Sequence, residues 1–352
     1  MQWREELTRR FPALANLGDD CYVVGGAIRD LLLGREPADA DVACIDPLAA
    51  ARSIRERVIR LGDAEHLSAY RVVDGQHVYD FAELLDRDID ADLARRDFTI
   101  NAMAVHLGGG VLLDPHGGEL DIAARLVRMV DAENFDDDPL RTLKGVRMAV
   151  KFDFTIEPET VDAIRARAPR IVEMAAERVT YELSVIFSAG KLRQAIDLLR
   201  RTQLAEPLGL HLREIQADDA SLAGAYALLV DDPRAYAERW RWSAELLREV
   251  LTLQRLLAQH DPTEQHGRIA LYDAGEIIAR QLPAVLRALG RDEPLDMPDF
   301  SIRPLLSGDE IAQIMGIAPG QRLGRIKRAL LEAQIQGEVT TREQAMEFIQ
   351  RV

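Results

Sequence analysis

Apolar and polar residues alternate at period two in short runs through the first 130 residues, and this pattern predicts β-strands. Strands are predicted at residues 21–24, 39–45, 70–73, 77–81 and 110–114. Asp74-Gly75-Gln76 separates two of them and predicts a hairpin turn. Helices are predicted at residues 27–33, 48–61 and 92–105. The first part of the chain is therefore predicted to be a mixed α/β domain.

Beyond about Pro139 the strand pattern gives way to long stretches of helical periodicity. Helices are predicted at residues 140–151, 159–167, 178–187, 191–200, 240–257, 268–289 and 322–336, with a break at Asp261-Pro262. The predicted fold class is therefore α+β, with an N-terminal α/β head of mixed sheet and helices followed by an all-α remainder.

The composition is that of a globular protein and excludes several other classes. Its 352 residues exceed one ordinary core, so two or more domains are expected. No apolar run approaches the roughly 20 residues that span a membrane, and MQWREELTRRF lacks the apolar stretch of a signal peptide. Cys21 and Cys44 lie in predicted core strands and cannot form a disulfide framework. A cytoplasmic protein with no membrane partner is expected.

Net charge argues at first against a nucleic-acid partner, because phosphate binding depends on Lys and Arg. The formal charge is −15, from 44 basic and 59 acidic residues. Residues 1–150 hold 18 basic and 28 acidic groups, whereas residues 301–352 hold 7 and 6. The uneven distribution leaves the partner open.

Asp39 and Asp41 are the first candidates for chemistry. Positions i and i+2 of a strand face the same side, so the two carboxylates project together. Carboxylate oxygens are natural ligands of Mg²⁺, and such a pair can hold two metals that activate a hydroxyl and stabilise a leaving pyrophosphate. An isolated Asp-x-Asp also fits a solvated edge strand.

Gly25 and Gly26 follow the first predicted strand and precede a helix that carries Arg29. Glycines let backbone N–H groups approach a triphosphate, and a guanidinium on the helix can hold phosphate oxygens. Taken alone, Gly-Gly is also an ordinary turn. The order of strand, glycines, helix and acidic strand predicts a phosphate cradle beside a metal site.

Two further segments carry candidate nucleotide contacts. In DLARRDFTINAMA, Arg96 can reach phosphate, while Asp97 and Asn101 can bind ribose hydroxyls; the alternative is a helix whose polar residues cap it and face solvent. In DDPLRTLK, Asp138 and Arg141 offer an acceptor and a donor fork that can read a base edge. The alternative there is an ordinary capped helix with a charged stripe, which includes Lys144 and Arg147.

These motifs together resemble one enzyme family. VVGGAIRDLLLG, DADVA, DLARRDFTINAMA, LLDPHGGELDI and DPLRTLKGVRMA stand in the order and approximate spacing of the class II tRNA nucleotidyltransferases (CCA-adding enzymes) and bacterial poly(A) polymerases. ERVTYEL resembles the neck helix of that family, and GDEIAQIMGIAPGQRLGRIKRALLEAQIQGEVTTREQAMEFI resembles its tail. The resemblance spans nearly the whole chain and is weakest across residues 205–300.

The resemblance implies roles for individual residues. It makes Asp39 and Asp41 the catalytic ligands of two Mg²⁺ ions. The residues implied in nucleotide binding are Gly25, Gly26, Arg29, Arg96, Asp97, Asn101, Asp138, Arg141 and Lys144, of which Asp138 and Arg141 select the base. The implied domains are a nucleotidyltransferase head at 1–135, a base-selecting neck at 136–200, a body at 201–300 and an RNA-contacting tail at 301–352.

The implied activity is template-independent addition of C and/or A from CTP and ATP to the 3′ end of tRNA, by two-metal in-line transfer. The oligomeric state is left open. In the tail, Arg322, Arg325, Lys327 and Arg328 form a ladder that suits an RNA backbone, or equally a solvated helix face.

The sequence departs from the family pattern in three places. Asp137 stands where the family usually has Glu, and Lys144 replaces a usual Arg. The segment between Asp80 and Arg95 is shorter than the flexible loop of full CCA-adding enzymes. The short segment is similar to that of CC-adding members, so CC addition without the terminal A is a serious subtype. A poly(A) polymerase and a catalytically lapsed regulator that binds RNA or nucleotide are the remaining alternatives.

Overall fold

The computed structural model describes residues 2–61, 69–259, 267–292 and 294–352. Contacts divide the chain into two units. The first comprises Met1–Ile186 and Asp197–Leu208, and the second comprises Phe187–Ile196 and Gly209–Val352. The predicted break at Asp261-Pro262 lies outside the described residues. No described helix is both long and apolar enough to cross a membrane.

A mixed seven-stranded sheet forms the centre of the first unit. Its strands are β1 (Cys21–Val24), β2 (Ala40–Cys44), β3 (Ile59–Leu61), β4 (Ala69–Asp74), β5 (His77–Glu83), β6 (Ala104–His106) and β7 (Leu112–Leu113). They lie in the order β3-β4-β5-β2-β1-β6-β7, and only β2 and β5 are parallel neighbours. The strands predicted at 21–24, 39–45, 70–73 and 77–81 are confirmed, and that predicted at 110–114 is shorter.

Strand β2 shows how the sequence pattern positions the site. Ala40, Val42 and Cys44 are 0–1% exposed and pack into the core. Because side chains alternate across a strand, the intervening Asp41 faces the other side of the sheet. The alternation therefore presents a carboxylate on a strand that is otherwise buried.

Helices form most of the remaining structure. In chain order they are α1 (Trp3–Arg10), α2 (Gly26–Leu32), α3 (Pro47–Ile54), α4 (Ile89–Ala94), α5 (Gly118–Ala123), α6 (Asn134–Asp137), α7 (Leu140–Phe152), α8 (Pro158–Arg167), α9 (Ala176–Phe187), α10 (Leu192–Arg201), α11 (Ala205–Leu208), α12 (Leu222–Leu229), α13 (Pro233–Trp240), α14 (Ala244–Gln259), α15 (Gly267–Ala274), α16 (Glu276–Ala279), α17 (Leu282–Ala288), α18 (Gly308–Met315), α19 (Gln321–Gln336) and α20 (Arg342–Arg351). A parallel pair, β8 (Leu126–Val127) and β9 (Thr155–Ile156), lies outside the large sheet. The predicted α+β fold class is confirmed.

The helix predicted at residues 92–105 is wrong. Helix α4 ends at Ala94, a 3₁₀ turn covers Thr99–Asn101, and β6 begins at Ala104. The Asp97 carboxylate accepts hydrogen bonds from the backbone N–H of Phe98 at 2.8 Å and from the Asn101 side chain at 2.9 Å. The Asp97 side chain takes the backbone N–H of Phe98, which in a helix would bond to a backbone carbonyl. This competition stabilises a turn in place of a continuous helix.

Three other predicted helices are interrupted. The one at 48–61 ends at Ile54, and Ile59–Leu61 pairs with β4 instead. The one at 240–257 begins only at Ala244, because Arg241 adopts a left-handed φ of 52°. The one at 268–289 breaks into α15, α16 and α17; Gly275, with φ of 84°, ends the first segment.

An ion pair joins α7 to α9 within the first unit. Arg147 Nε lies 2.6 Å from Glu182 Oε2, and the Glu182 side chain is only 4% exposed. Burial raises the pKa of Glu182, while the charges of Arg147 and Lys144 oppose that shift. Each partner therefore depends on the other for a counter-charge.

Removing one partner of this pair should cost more stability than breaking an exposed pair. In Glu182→Gln the Arg147 guanidinium loses its counter-charge, and we expect the free energy of unfolding to fall by about 3 kcal/mol. Asp162→Asn breaks the exposed 2.7 Å pair with Arg165 and should change it by about 0.5 kcal/mol or less. Urea denaturation followed by circular dichroism measures both, and equal losses would contradict the expectation.

Candidate active site around Asp39 and Asp41

Asp41 lies where β1 ends and β2 begins, within range of the charges of two further carboxylates, Asp39 and Asp80. The strand register pairs Asp41 with Val24 of β1 on one side and with Asp80 of β5 on the other, and Asp39 precedes the strand. Burial, together with the charges of Asp39 and Asp80, raises the pKa of Asp41 to about 6. The charge of Arg96 acts in the opposite direction. The ionised form of Asp41 is thus destabilised, and a nearby cation would stabilise it, so the pair has the donor chemistry of a divalent-metal site.

Asp80 was not among the candidates drawn from the sequence. It is opposite Arg71 in the β4–β5 hairpin, and the two form a bidentate pair with Nε–Oδ1 of 2.7 Å and Nη2–Oδ2 of 2.6 Å. The available signal was an acidic residue inside the apolar strand HVYDFAE. Arg71 pairs with Asp80, but the Asp80 charge still raises the pKa of Asp41.

Gly25 brings the arginine of the RRDF motif against the carboxylates. Its φ is 71°, a conformation that residues with a Cβ rarely adopt, and a Cβ there would lie 2.8 Å from Arg96 Nη1 and 4.0 Å from Asp41 Oδ2. Arg96 is held by Asp92, which accepts hydrogen bonds from Nη2 at 2.9 Å and from Nε at 3.2 Å. The structure thus brings Gly25, Arg96 and Asp41 together.

Arg29 occupies a more buried position than a simple phosphate contact would need. It is 7% exposed; Nη1 donates to Asn101 Oδ1 at 2.5 Å, and Nη2 donates to Asp30 Oδ1 at 2.8 Å. Asn101 donates in turn to Asp97 Oδ1 at 2.9 Å. The predicted sugar-binding residues are therefore linked through Arg29 to α2, next to Gly26. Their contacts with a nucleotide stay predictions.

The predicted base-selecting residues are held in place by hydrogen bonds. Asp138 Oδ2 accepts from Arg178 Nη2 at 2.8 Å, with Lys144 Nζ at 3.9 Å. Arg141 Nη1 donates to two backbone carbonyls, of Arg95 at 2.8 Å and of Asn134 at 3.0 Å. Arg178, in ERVTYEL, was predicted only as part of a helix, and its contact with Asp138 required the tertiary structure.

A side-chain amide connects this segment to the turn that carries Arg96. Asn134 Nδ2 donates to the carbonyls of Ala94 and Arg96, both at 2.9 Å. Asn134 is 7% exposed. The predicted base-selecting residues and the predicted phosphate contact are therefore fixed to one another through the backbone of residues 94–96.

Comparison with known proteins adds to this geometry. The family model described as "Poly A polymerase head domain" matches residues 21–84 and 66–128, and one described as "Probable RNA and SrmB- binding site of polymerase A" matches residues 153–214. The chain is 30% identical to the A-adding tRNA nucleotidyltransferase of Deinococcus radiodurans, over 97% of this chain and 98% of that protein. The chain belongs to the class II tRNA nucleotidyltransferase and poly(A) polymerase family.

Other members of the family support the same assignment. The CC-adding tRNA nucleotidyltransferase of Thermus thermophilus is 29% identical over 94% of this chain and 93% of that protein. The crystal structure of the Bacillus stearothermophilus CCA-adding enzyme in complex with CTP superposes with a TM-score of 0.77 at 25% identity, covering 99% of this chain and 97% of that one. The predicted family is confirmed.

The departures from the family pattern occupy defined positions. Asp137 pairs with Arg95 at 3.0 Å on the surface, and Lys144 Nζ lies 3.9 Å from Asp138 Oδ2. The short segment after Asp80 contains a 3₁₀ turn at Leu85–Arg87 and helix α4. Arg141, Lys144 and Arg147 do not form the single solvated stripe that was the alternative prediction, because each of the three contacts a different partner.

The basic residues predicted to form a ladder in the tail differ in their surroundings. Arg328 forms a bidentate pair with Asp273, at 2.7 and 2.6 Å, and also contacts Glu332 at 2.5 Å. Arg322, Arg325 and Lys327 are exposed on α19. Arg328 therefore has carboxylate partners inside the second unit, and RNA contact by the other three stays a prediction.

The raised pKa of Asp41 predicts a pH-dependent stability. In metal-free buffer the folded chain keeps a proton on Asp41 between about pH 4 and pH 6 that the unfolded chain has lost, so stability falls as pH rises through that window. Asn at position 41 cannot ionise, so the variant Asp41→Asn does not lose stability in this way. We expect the variant to be more stable than wild type by about 2 kcal/mol at pH 7.5 and equally stable near pH 4. Urea denaturation at both pH values measures this; parallel pH profiles would contradict it.

Proposed function

We propose that this chain adds C and/or A from CTP and ATP to the 3′ end of tRNA, in the synthesis or repair of the CCA end in the cytoplasm. The observation that carries the proposal is the carboxylate pair Asp39 and Asp41 with Arg96 packed against Gly25 beside it. Relatives named for A, CC and CCA addition, and a similar structure in complex with CTP, support it.

Asp39 and Asp41 would hold Mg²⁺, which supplies a lowered pKa for the attacking hydroxyl and charge stabilisation for the leaving group. The RNA 3′-hydroxyl attacks the α-phosphate of the NTP in line, and pyrophosphate leaves. Gly25 and Gly26 allow the backbone to approach the triphosphate, and Arg96 carries positive charge toward it. Arg29 orients Asn101, which with Asp97 binds the ribose.

Asp138 and Arg141 select the base by hydrogen bonding to its edge. An acceptor beside a donor fork is complementary to the mixed donor and acceptor edges of cytosine and adenine. Arg178 fixes the Asp138 carboxylate, and the bonds from Arg141 to the carbonyls of Arg95 and Asn134 fix the orientation of the guanidinium. Both base-selecting side chains are thus oriented before a nucleotide binds.

A second candidate is CC addition without the terminal A. The short segment between Asp80 and Arg95 favours it. Sequence identity to relatives does not decide which nucleotides are added, because the A-adding and CC-adding relatives are 30% and 29% identical to this chain. Sequencing of products made from tRNAs that end before, within and after CCA, with each NTP supplied alone, decides between CCA, CC, A and poly(A) addition.

Asp41→Ala should abolish nucleotide incorporation while leaving the fold intact. The variant loses a carboxylate for Mg²⁺, and we expect the rate with labelled CTP, Mg²⁺ and a truncated tRNA to fall by about 1000-fold or more. Asp74→Asn, at the hairpin turn, is the matched control and should retain the wild-type rate. Turnover retained in Asp41→Ala would remove the proposed metal role, and an inactive wild type would favour the regulator alternative.

Arg178→Gln should reduce base discrimination more than overall binding. Without its ion-pair partner the Asp138 carboxylate is free to turn away from the base, and we expect the preference for CTP over UTP, as a ratio of kcat/KM, to fall about tenfold. Arg201→Gln, which changes an exposed arginine of the same unit paired with Asp197, should leave the ratio unchanged. An unchanged ratio in Arg178→Gln would contradict the assignment of Asp138.

A further inference from the structure

Three cations surround one aromatic ring at the end of α7. The guanidinium carbons of Arg29 and Arg35 lie 4.6 and 5.0 Å from the centroid of Phe152, and Lys151 Nζ lies 5.3 Å from it. Phe152 is buried, whereas Arg35 and Lys151 are exposed. The ring attracts each cation, but it cannot neutralise three of them.

Nearby acids leave two of these charges uncompensated. Asp30 pairs with Arg29 at 2.8 Å, and Glu36 pairs with Arg10 at 2.8 Å. Within the described parts of the chain, no ion pair joins Arg35 or Lys151 to a carboxylate. The result is a local excess of two positive charges on a protein whose formal net charge is −15.

The electrostatics of Lys151 agree with this excess. Burial lowers the pKa of its ammonium, and the charges of Arg29, Arg147 and Arg35 lower it further, with only Asp30 opposing them. Like charges held together destabilise the protein, and a bound anion would relieve the repulsion. We name the exposed pair Arg35 and Lys151, with Phe152 beneath it, the Phe152 cation cluster.

The cluster adjoins the candidate active site through Arg29. The guanidinium that lies over Phe152 also donates to Asn101, which is hydrogen-bonded to Asp97 in the predicted sugar site. The cluster is therefore separated from that site by one side chain. An RNA strand whose 3′ end lies at Asp39 and Asp41 has a backbone phosphate every nucleotide, so it brings phosphates to the surface around the site.

We propose that the Phe152 cation cluster binds a backbone phosphate of the RNA strand, upstream of the 3′ end that is extended. The inference rests on the proposed function. A phosphodiester suits two exposed cations because it stays partly hydrated and needs no enclosed pocket. The NTP triphosphate is the other source of phosphate, and it is assigned to Gly25, Gly26 and Arg96.

The test measures tRNA binding and catalysis in the full chain with Arg35→Gln and Lys151→Gln combined. Binding to a 3′-truncated, fluorescently labelled tRNA is followed by anisotropy between about 0.05 and 0.2 M salt. We expect Kd to rise about tenfold and the slope of log Kd against log salt to fall by about 0.7, the value for one lost phosphate contact on a single strand. KM for CTP at saturating tRNA should stay within about twofold of wild type, since the NTP site is untouched.

Two variants control for charge and for general electrostatics. Arg35→Lys with Lys151→Arg keeps both charges and should restore wild-type affinity and slope. Arg52→Gln removes an exposed guanidinium on α3 and should shift Kd and slope by less than half of the effect of the double variant. Thermal unfolding of each variant checks that the fold is retained.

The outcomes are distinct from those of the proposed function. Unchanged tRNA affinity and salt slope in the double variant would overturn the inference, even where the wild type incorporates CTP. A raised KM for CTP with unchanged tRNA binding would also overturn it and would assign the cluster to the triphosphate. A wild type that adds no nucleotide removes the proposed function, while the binding measurement still decides whether the cluster holds RNA.

Discussion

Repulsion among carboxylates is the constraint on which the rest of the site depends. Asp41 is partly buried on β2 between β1 and β5, with Asp39 and Asp80 close enough for their charges to raise its pKa. Arg71 pairs with Asp80, and Arg96 offsets part of the remaining charge. A divalent cation would remove the rest, which is the physical reason for proposing that Asp39 and Asp41 hold Mg²⁺.

Hydrogen bonds and one close approach to the backbone fix the position of the site. Glycine at position 25 lets Arg96 approach Asp41, and the backbone of residues 94–96 is fixed by Asn134 and Arg141. A displacement of the residues predicted to select the base would therefore move Arg96, the predicted phosphate contact, as well. Arg178 of α9 contacts Asp138 just before α7 begins, and Glu182 of α9 pairs with Arg147 in the middle of α7, so two ion pairs fix the segment predicted to select the base.

Sequence patterns predicted those parts of the molecule that depend on local periodicity or on motif order. The strands that carry Asp41, the hairpin, and helices such as α7 and α19 follow from alternation and helical spacing. The helix predicted at 92–105 is wrong because the Asp97 side chain accepts a bond from the Phe98 N–H, and because the Thr99 N–H donates to the carbonyl of Arg128, which is distant in sequence. Glycine and left-handed residues broke the later helices, at positions where the apolar pattern continues.

Residues that act through partners distant in sequence were not predictable in this way. Asp80 lies beside Asp41 only because β2 and β5 are parallel neighbours, and Arg178 reaches Asp138 across 40 residues. The Phe152 cation cluster joins α7 to the loop after α2 and is equally invisible in a motif. Motifs therefore indicated the residues that are predicted to contact the substrate, and the fold was needed to find the residues that contact those in turn.

The most direct test of the metal site is anomalous diffraction from crystals grown with Mn²⁺ and a non-hydrolysable CTP analogue. If Asp39 and Asp41 are the ligands, anomalous peaks will lie about 2 Å from oxygens of both carboxylates and next to the triphosphate. Peaks confined to other parts of the protein, or carboxylates that point away from a bound nucleotide, would contradict the account.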